Sequence, residues 1–319
     1  MEKHHILAGL LLLVATLGFM SLKYLRAPRR SPLRLWGWMG LGIILGSELL
    51  LALPVYWVTV FFTPLAWTGY ILLVDALVAT LEGHSRLTRA PLQFLGLAFW
   101  SIPLWLIFEA YNLRLKNWAY VGVPVDEWIA IPGYAWAFAT IWPAIFETSD
   151  LIRALGIFRS EARHAWTLSR LLRAIFLSVG VIFLIVPLVV PEARARYLFG
   201  AVWVGFILLL DPLSYYWGER SLLRELEMGR ASTLYSLLLA GWVCGIVWEF
   251  WNYWAASRWV YVFPIWQQSK LFEMPLPGFL GFPPFALECW VMYEFVRTAR
   301  RQIFGSRQAA RWEAVESQT

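Results

Sequence analysis

Two glutamates, each followed three residues later by an asparagine, are the side chains in this chain best placed to do chemistry: Glu109 with Asn112 and Glu249 with Asn252. Spacing of three puts both members on one helix face, so the amide can hold the carboxyl in one orientation. A carboxyl in a dry pocket tends to keep its proton, because desolvation disfavours the charged form. A neutral acid facing an apolar substrate is what proton-initiated chemistry on an alkene requires. Two more glutamates, Glu147 and Glu288, each lie four residues after a proline, Pro143 and Pro284. A proline inside a helix frees a carbonyl one turn earlier and bends the helix, so each pair is expected to form a polar notch holding a carboxyl. The four glutamates are the candidate catalytic acids, with a purely structural cross-linking role as the competing reading of each. Asp75 and Asp211 are expected to serve structural pairing.

These residues belong to two copies of one design. FEAYNLRLKNWAYVGVP, from Phe108 to Pro124, returns as WEFWNYWAASRWVYVFP, from Trp248 to Pro264. Glu109 matches Glu249, Asn112 matches Asn252, Trp118 matches Trp259, Tyr120 matches Tyr261 and Pro124 matches Pro264, at offsets of 140 or 141 residues. Pro132 and Gly133 match Pro277 and Gly278 at an offset of 145, and Pro143 and Glu147 match Pro284 and Glu288 at 141 again, so an insertion falls in the intervening loop. Asp75 with Gly83 and Asp211 with Gly218 extend the correspondence upstream. A repeat of this length implies two structural units of one kind.

Aromatic residues are abundant: 21 Trp, 13 Tyr and 21 Phe. Trp and Tyr concentrate at the headgroup level of membranes, which accounts for Trp118, Tyr120, Trp259 and Tyr261 beyond the helix ends. Trp248, Phe250, Trp251 and Trp254 are expected in the interior, either packed between helices or lining a cavity whose ring faces stabilise a carbocation. The residues expected to bind substrate are Asn112, Asn252, Trp118, Tyr120, Trp248, Trp251, Trp259 and Tyr261. The sequence has no His pair at metal-ligand spacing, nucleophile elbow, phosphate-cradling glycine loop or DDxxD cluster, which disfavours hydrolases, kinases and prenyltransferases. No cofactor or metal is expected. Cys244 and Cys289 are read as packing groups inside spans.

The elements that must position these groups follow from composition. Of 319 residues, 60% are hydrophobic and 15% charged, whereas soluble domains carry about 25% charged residues. Apolar runs long enough to cross ~30 Å of hydrocarbon as helix occur at about 6–22, 35–55, 63–82, 92–112, 133–149, 174–190, 197–217, 232–253 and 278–296. The fold expected is therefore an all-α polytopic membrane protein of nine transmembrane helices. An N-terminal helix and basic linker (1–33) precede a four-helix repeat (34–150). An amphipathic cytoplasmic connector (151–173) leads to a second four-helix repeat (174–298) and a loose polar tail (299–319). Four spans is an even number, so both repeats share one orientation and are expected to be related by an axis along the membrane normal. With the C-terminus cytoplasmic and the N-terminus outside, twenty of the 27 Lys and Arg residues fall inside, as topology rules require. The location expected is a bacterial inner membrane. The net charge of +6 is then a topology and lipid-contact signal, not a nucleic-acid surface.

The arrangement resembles the integral-membrane lycopene cyclase domain of heterodimeric bacterial and fused fungal carotenoid cyclases. That family has tandem halves, each with an acid late in one span, Trp-x-Tyr beyond it, and a Gly and a Pro before a glutamate in the next span. Here Glu109, Trp118 and Tyr120, and Glu249, Trp259 and Tyr261, are similar to the first part; Gly133, Pro143 and Glu147, and Gly278, Pro284 and Glu288, are similar to the second. The likeness covers roughly 50 residues in each half. The family's compact Pro-x-Glu-Glu is replaced here by Pro-x-x-x-Glu, and its first acid, typically Asp, by Glu. The resemblance implies an isomerase of carotenoid biosynthesis, acting on a long isoprenoid without a cofactor. The alternative is a transporter or lipid-handling protein using the same carboxyls as proton or solute sites between two halves. Partners expected under either reading are membrane lipids and an apolar isoprenoid or lipid.

Overall fold

The computed structural model describes residues 2–53, 55–158 and 167–318, with side chains described over 4–53, 55–158 and 167–303. In chain order the elements are α1 (Glu2–Arg26), α2 (Leu35–Ala52), α3 (Tyr56–Glu82), α4 (Arg86–Arg89), α5 (Pro91–Leu115), β1 (Trp118–Val121), α6 (Glu127–Ala154), α7 (Arg170–Val189), α8 (Glu192–Ala195), α9 (Phe199–Tyr216), α10 (Leu222–Glu227), α11 (Ser232–Trp254), β2 (Arg258–Tyr261), β3 (Lys270–Leu271), β4 (Met274–Pro275), a 3-10 helix (Leu276–Gly281) and α12 (Phe282–Gln318). Among the described residues eight helices are long and apolar enough to cross a membrane: α1, α2, α3, α5, α6, α7, α9 and α11. The chain is an all-α polytopic membrane protein with a few short strands outside the helices. Leu11, Leu45, Phe99 and Val189 are exposed large apolar side chains on four of these helices, as expected where the surrounding solvent is lipid.

Packing runs in parallel through the two halves. α2 packs on α3, α3 on α6 and α5 on α6; correspondingly, α7 packs on α9, α9 on α12 and α11 on α12. Small residues let paired helices approach closely. A Cβ on Gly40 would lie 2.5 Å from the Gly69 carbonyl oxygen, and one on Gly180 would lie 3.0 Å from that of Gly205. These crossings are at matching points of α2–α3 and α7–α9, a correspondence that identity alone does not reveal because glycine is common in the chain. Asp75 accepts hydrogen bonds from Trp36, Ser85 and the Leu87 amide, while Asp211 accepts from the Leu222 and Leu223 amides. Each aspartate thus ties its long helix to the short helix that follows, the structural role expected of it.

β1 and β2 pair antiparallel, with Trp118 opposite Tyr261, Ala119 opposite Val260 and Tyr120 opposite Trp259. Each Trp stands opposite the other half's Tyr. Ala119 and Val260, which stand opposite each other between these pairs, are themselves 141 residues apart. This ribbon joins the halves at one end of the helix bundle.

Three expectations change. Pro284 stands in the first turn of α12, where no intrahelical donor is required, so it does not kink a helix. The segment corresponding to the beginning of α6 is the β3–β4 hairpin and the 3-10 helix, which occupy the place of the insertion. Phe272, at the hairpin turn with φ 54°, is buried against α1; a Cβ on Gly9 would sit 2.7 Å from its ring. Pro143 does lie mid-helix in α6, and the helix break in the first half falls instead at Phe61 (φ −103°, ψ 20°) inside α3. Pro64, three residues on, removes an amide and crowds the preceding turn. Finally, the segment after Gln302, expected as a loose tail, continues α-helical to Gln318. The middle of the expected amphipathic connector, residues 159–166, lies outside the described residues.

Candidate functional site

Each half builds its site from a helix end and the strand that follows. α5 stops at Leu115, and Lys116 adopts a left-handed conformation (φ 52°). Asn112 then clips the chain: its Nδ2 donates to the Trp118 carbonyl at 2.9 Å, and its Oδ1 accepts from the Asn117 and Trp118 amides at 2.8 and 3.1 Å. In the second half Asn252 Nδ2 donates to the Trp259 carbonyl at 2.9 Å and Oδ1 accepts the Trp259 amide at 3.0 Å. The two asparagines satisfy strand backbone and fold each strand back over its helix. They do not reach the cavity described below, so the expected substrate-binding role is replaced by a positioning one.

With the strand clipped, residues two apart point to the same side and return toward the helix glutamate. Tyr120 donates its hydroxyl to Glu109 Oε1 at 2.5 Å, and the Trp105 and Trp118 indoles donate to the same oxygen at 2.9 and 3.3 Å. Tyr261 donates to Glu249 Oε1 at 2.7 Å, while the Trp259 indole donates to the Tyr261 oxygen at 2.8 Å. Glu249 is completely buried and its Oε2 has no hydrogen-bond partner; Glu109 retains partial exposure. Burial first, and the facing carboxyl second, push both Tyr120 and Tyr261 well above the ordinary phenol range. Both hydroxyls therefore keep their protons and act as donors.

Between the halves, beneath the ribbon, lies a cavity of about 160 Å³. Its wall includes Trp118, Tyr120, Trp248, Trp259 and Tyr261, together with Trp67, Trp105, Trp203 and Phe285. Trp248 sits centrally, with ring centroids 5.4 Å from Trp67, 6.5 Å from Trp105, 6.2 Å from Trp259 and 6.1 Å from Phe285. Among the described residues Arg258 is the one charged residue in the wall, and its Nε lies 3.7 Å from Glu273. Trp251 is not part of the wall: its indole donates to Glu48 at 2.8 Å, and its ring packs edge-on against Trp67. Trp254, expected in the interior, ends its helix at 46% exposure. Trp105 was legible only as the residue four before Glu109, a spacing that puts both on one face. Trp67 and Trp203 share the 136-residue offset of Asp75 and Asp211, a signal too thin to read without the structure.

Glu147 and Glu288 are completely buried, and all four of their carboxyl oxygens lack hydrogen-bond partners among the described residues. Neither lines the cavity. Arg86 Nε approaches Glu147 at 3.8 Å but pairs more closely with Asp150, at 2.7 Å. Glu288 has no cation among the described ion pairs; it lies about one helical turn past Phe285 in α12. Glu109 and Glu249 do not line the cavity either; each reaches it through its tyrosine, and Tyr120 and Tyr261 share the wall of one apolar cavity. Among the described residues no cluster of His, Cys, Asp and Glu is arranged to hold a metal.

No family model, curated sequence or solved structure gives a significant match to this chain.

Proposed function

We propose that this chain is an integral-membrane enzyme that takes one end of a long isoprenoid, such as a carotenoid, into the cavity between its halves and isomerises it by protonating a carbon–carbon double bond. The observation that carries the reading is the pair of Glu–Tyr hydrogen bonds, Glu109–Tyr120 and Glu249–Tyr261, whose tyrosines form the wall of one aromatic cavity. A cavity of about 160 Å³ holds an end group and not a whole carotenoid, since a pocket near 150 Å³ takes up a molecule the size of benzene. The glutamate, when protonated, passes its proton to the tyrosine oxygen as the phenolic proton moves to the alkene carbon. The resulting carbocation is held against the faces of Trp248, Trp105 and Trp259 and discharges by losing a neighbouring proton along the reverse path. Substrate and product are then isomers, and no oxidant or cofactor is consumed. Glu147 and Glu288, outside the cavity wall, are not assigned proton delivery; transport or lipid handling is the reading that uses such buried carboxyls instead.

The proposal includes nine spans in two parallel repeats with the N-terminus outside and the C-terminus in the cytoplasm of a bacterial inner membrane. The β1–β2 pairing supports it, because strands that pair lie on one side, and four long helices separate them in the chain. The ninth span is the first part of α12, which packs on α9 and α11.

The test compares isoprenoid and pigment extracts of cells expressing the wild type, Glu109→Gln, Glu249→Gln and the two combined. The expected result is a new isoprenoid isomer with the wild type and a loss on the order of a hundredfold or more in the combined variant, with folding retained. Full activity in that variant refutes acid catalysis, and unchanged lipids with altered solute uptake favour transport.

A further inference from the structure

A second cavity, of about 360 Å³, lies at the end of the molecule away from the ribbon, bounded by Gly218–Ser221, α10 and the middle of α12. Along α12, Arg297 is twelve residues beyond Phe285 of the aromatic cavity, about 18 Å at ~1.5 Å per residue. That distance carries it from the bundle interior to the opposite membrane boundary. Half-exposed Tyr216 and Trp217 close α9 beside it, and such aromatics mark the headgroup level.

The lining is basic. Arg220, Arg224, Arg230, Arg297 and Arg301 face Glu219, Glu225 and Glu294, which leaves two positive charges in excess. The carboxylates are already shared: Glu225 lies 3.5 Å from Arg220 and 3.2 Å from Arg230, Glu294 lies 3.4 Å from Arg220 and 3.2 Å from Arg297, and Glu219 lies 2.7 Å from Arg301. Arg224 has no carboxylate among the described ion pairs. Its guanidinium donates to the Tyr215 carbonyl at 3.1 Å and lies over the Tyr215 ring, while its Nε is buried without a hydrogen-bond partner. Ser221 and Thr298 add hydroxyls to the same wall. Planar guanidinium donors converging on a cavity with excess positive charge match the oxygens of a phosphate group.

We propose that this cavity binds a phosphate group, presented either by an anionic lipid headgroup or by a free phosphate compound, with Arg224 as its principal ligand. An internal ion-pair network that merely staples α10 to α12 gives the opposite signature when carboxylates are removed. Binding of inorganic phosphate and pyrophosphate to the purified protein in uncharged detergent is measured by thermal shift. Retention of phosphatidic acid against phosphatidylcholine is measured by native mass spectrometry after extraction from nanodiscs of the two lipids. The expected result is that Arg224→Gln and, as a second variant at a more exposed position, Arg230→Gln each weaken phosphate-group binding about tenfold, the equivalent of one charge-assisted contact. Glu225→Gln strengthens it by removing a competing carboxylate. Protection by the soluble anions identifies a free phosphate compound, and selective retention of phosphatidic acid alone identifies a headgroup. No binding of either, or affinity unchanged across the three variants, overturns the proposal.

Discussion

The two Glu–Tyr pairs look alike in sequence and differ in how much each carboxyl depends on its tyrosine, so removal of one hydroxyl should have unequal costs. Tyr261→Phe deletes the 2.7 Å bond to Glu249 and the acceptor of the Trp259 indole at 2.8 Å. Glu249 is completely buried with one oxygen already unpartnered, and the variant strips it of its one side-chain donor. Leaving a buried polar group unsatisfied costs roughly 1–3 kcal/mol, and two groups are affected, so about 2–6 kcal/mol is expected. Tyr120→Phe leaves Glu109 with the Trp105 and Trp118 indoles at 2.9 and 3.3 Å. Its loss is one hydrogen bond at a partly exposed carboxyl, about 0.5–1.5 kcal/mol. The assay is thermal or denaturant unfolding of both variants in one detergent, with Glu249→Leu added to close a double-mutant cycle. Replacing both partners by apolar groups should recover most of the Tyr261→Phe cost, since no unsatisfied carboxyl remains. Equal costs for the two tyrosines, or a larger cost at Tyr120, would refute the assignment of unequal support.

Gly241→Ala places a Cβ 2.2 Å from the Phe282 carbonyl oxygen, a backbone contact that forces α11 and α12 apart, whereas Gly42→Ala meets nothing within 4 Å. Loss of folded protein in the first and wild-type melting in the second is expected, and comparable melting of the two would contradict the close approach. Because β1 pairs with β2, exposed positions in the adjoining loops, Val125→Cys and Gln268→Cys, should react with a membrane-impermeant thiol reagent from the same side; the native Cys244 and Cys289 are buried. Labelling from opposite sides would overturn the shared orientation of the halves. The raised proton affinities of Tyr120 and Tyr261 also set a pH dependence. The unfolded phenol loses its proton near pH ~10 while the folded one holds it, so stability is complete below that pH and falls as pH rises toward the folded value. Melting scans from neutral to strongly alkaline pH should show this fall, reduced in the double Tyr→Phe variant.

The sequence by itself determined the membrane-protein class, because apolar runs near 20 residues leave the backbone few other ways to satisfy itself in lipid. It also marked Glu109, Asn112, Trp118 and Tyr120 with their counterparts Glu249, Asn252, Trp259 and Tyr261, because helix and strand periodicities fix which neighbours share a face. The same local rules misplaced Pro284, since a proline reads as a kink or as a helix start according to where the helix begins, and the hairpin insertion moved that point. They gave Asn112 and Asn252 to substrate, because spacing shows that a side chain is near a carboxyl and not which backbone it binds beyond the helix end. Only the tertiary structure decided that the halves meet through the β1–β2 ribbon over one aromatic cavity with Trp67 and Trp203 in its wall, and that Glu147 and Glu288 stay outside it. Those outcomes depend on contacts between segments far apart in the chain, such as Trp251 with Glu48, 203 residues away, and no periodicity along the chain encodes which helix faces another.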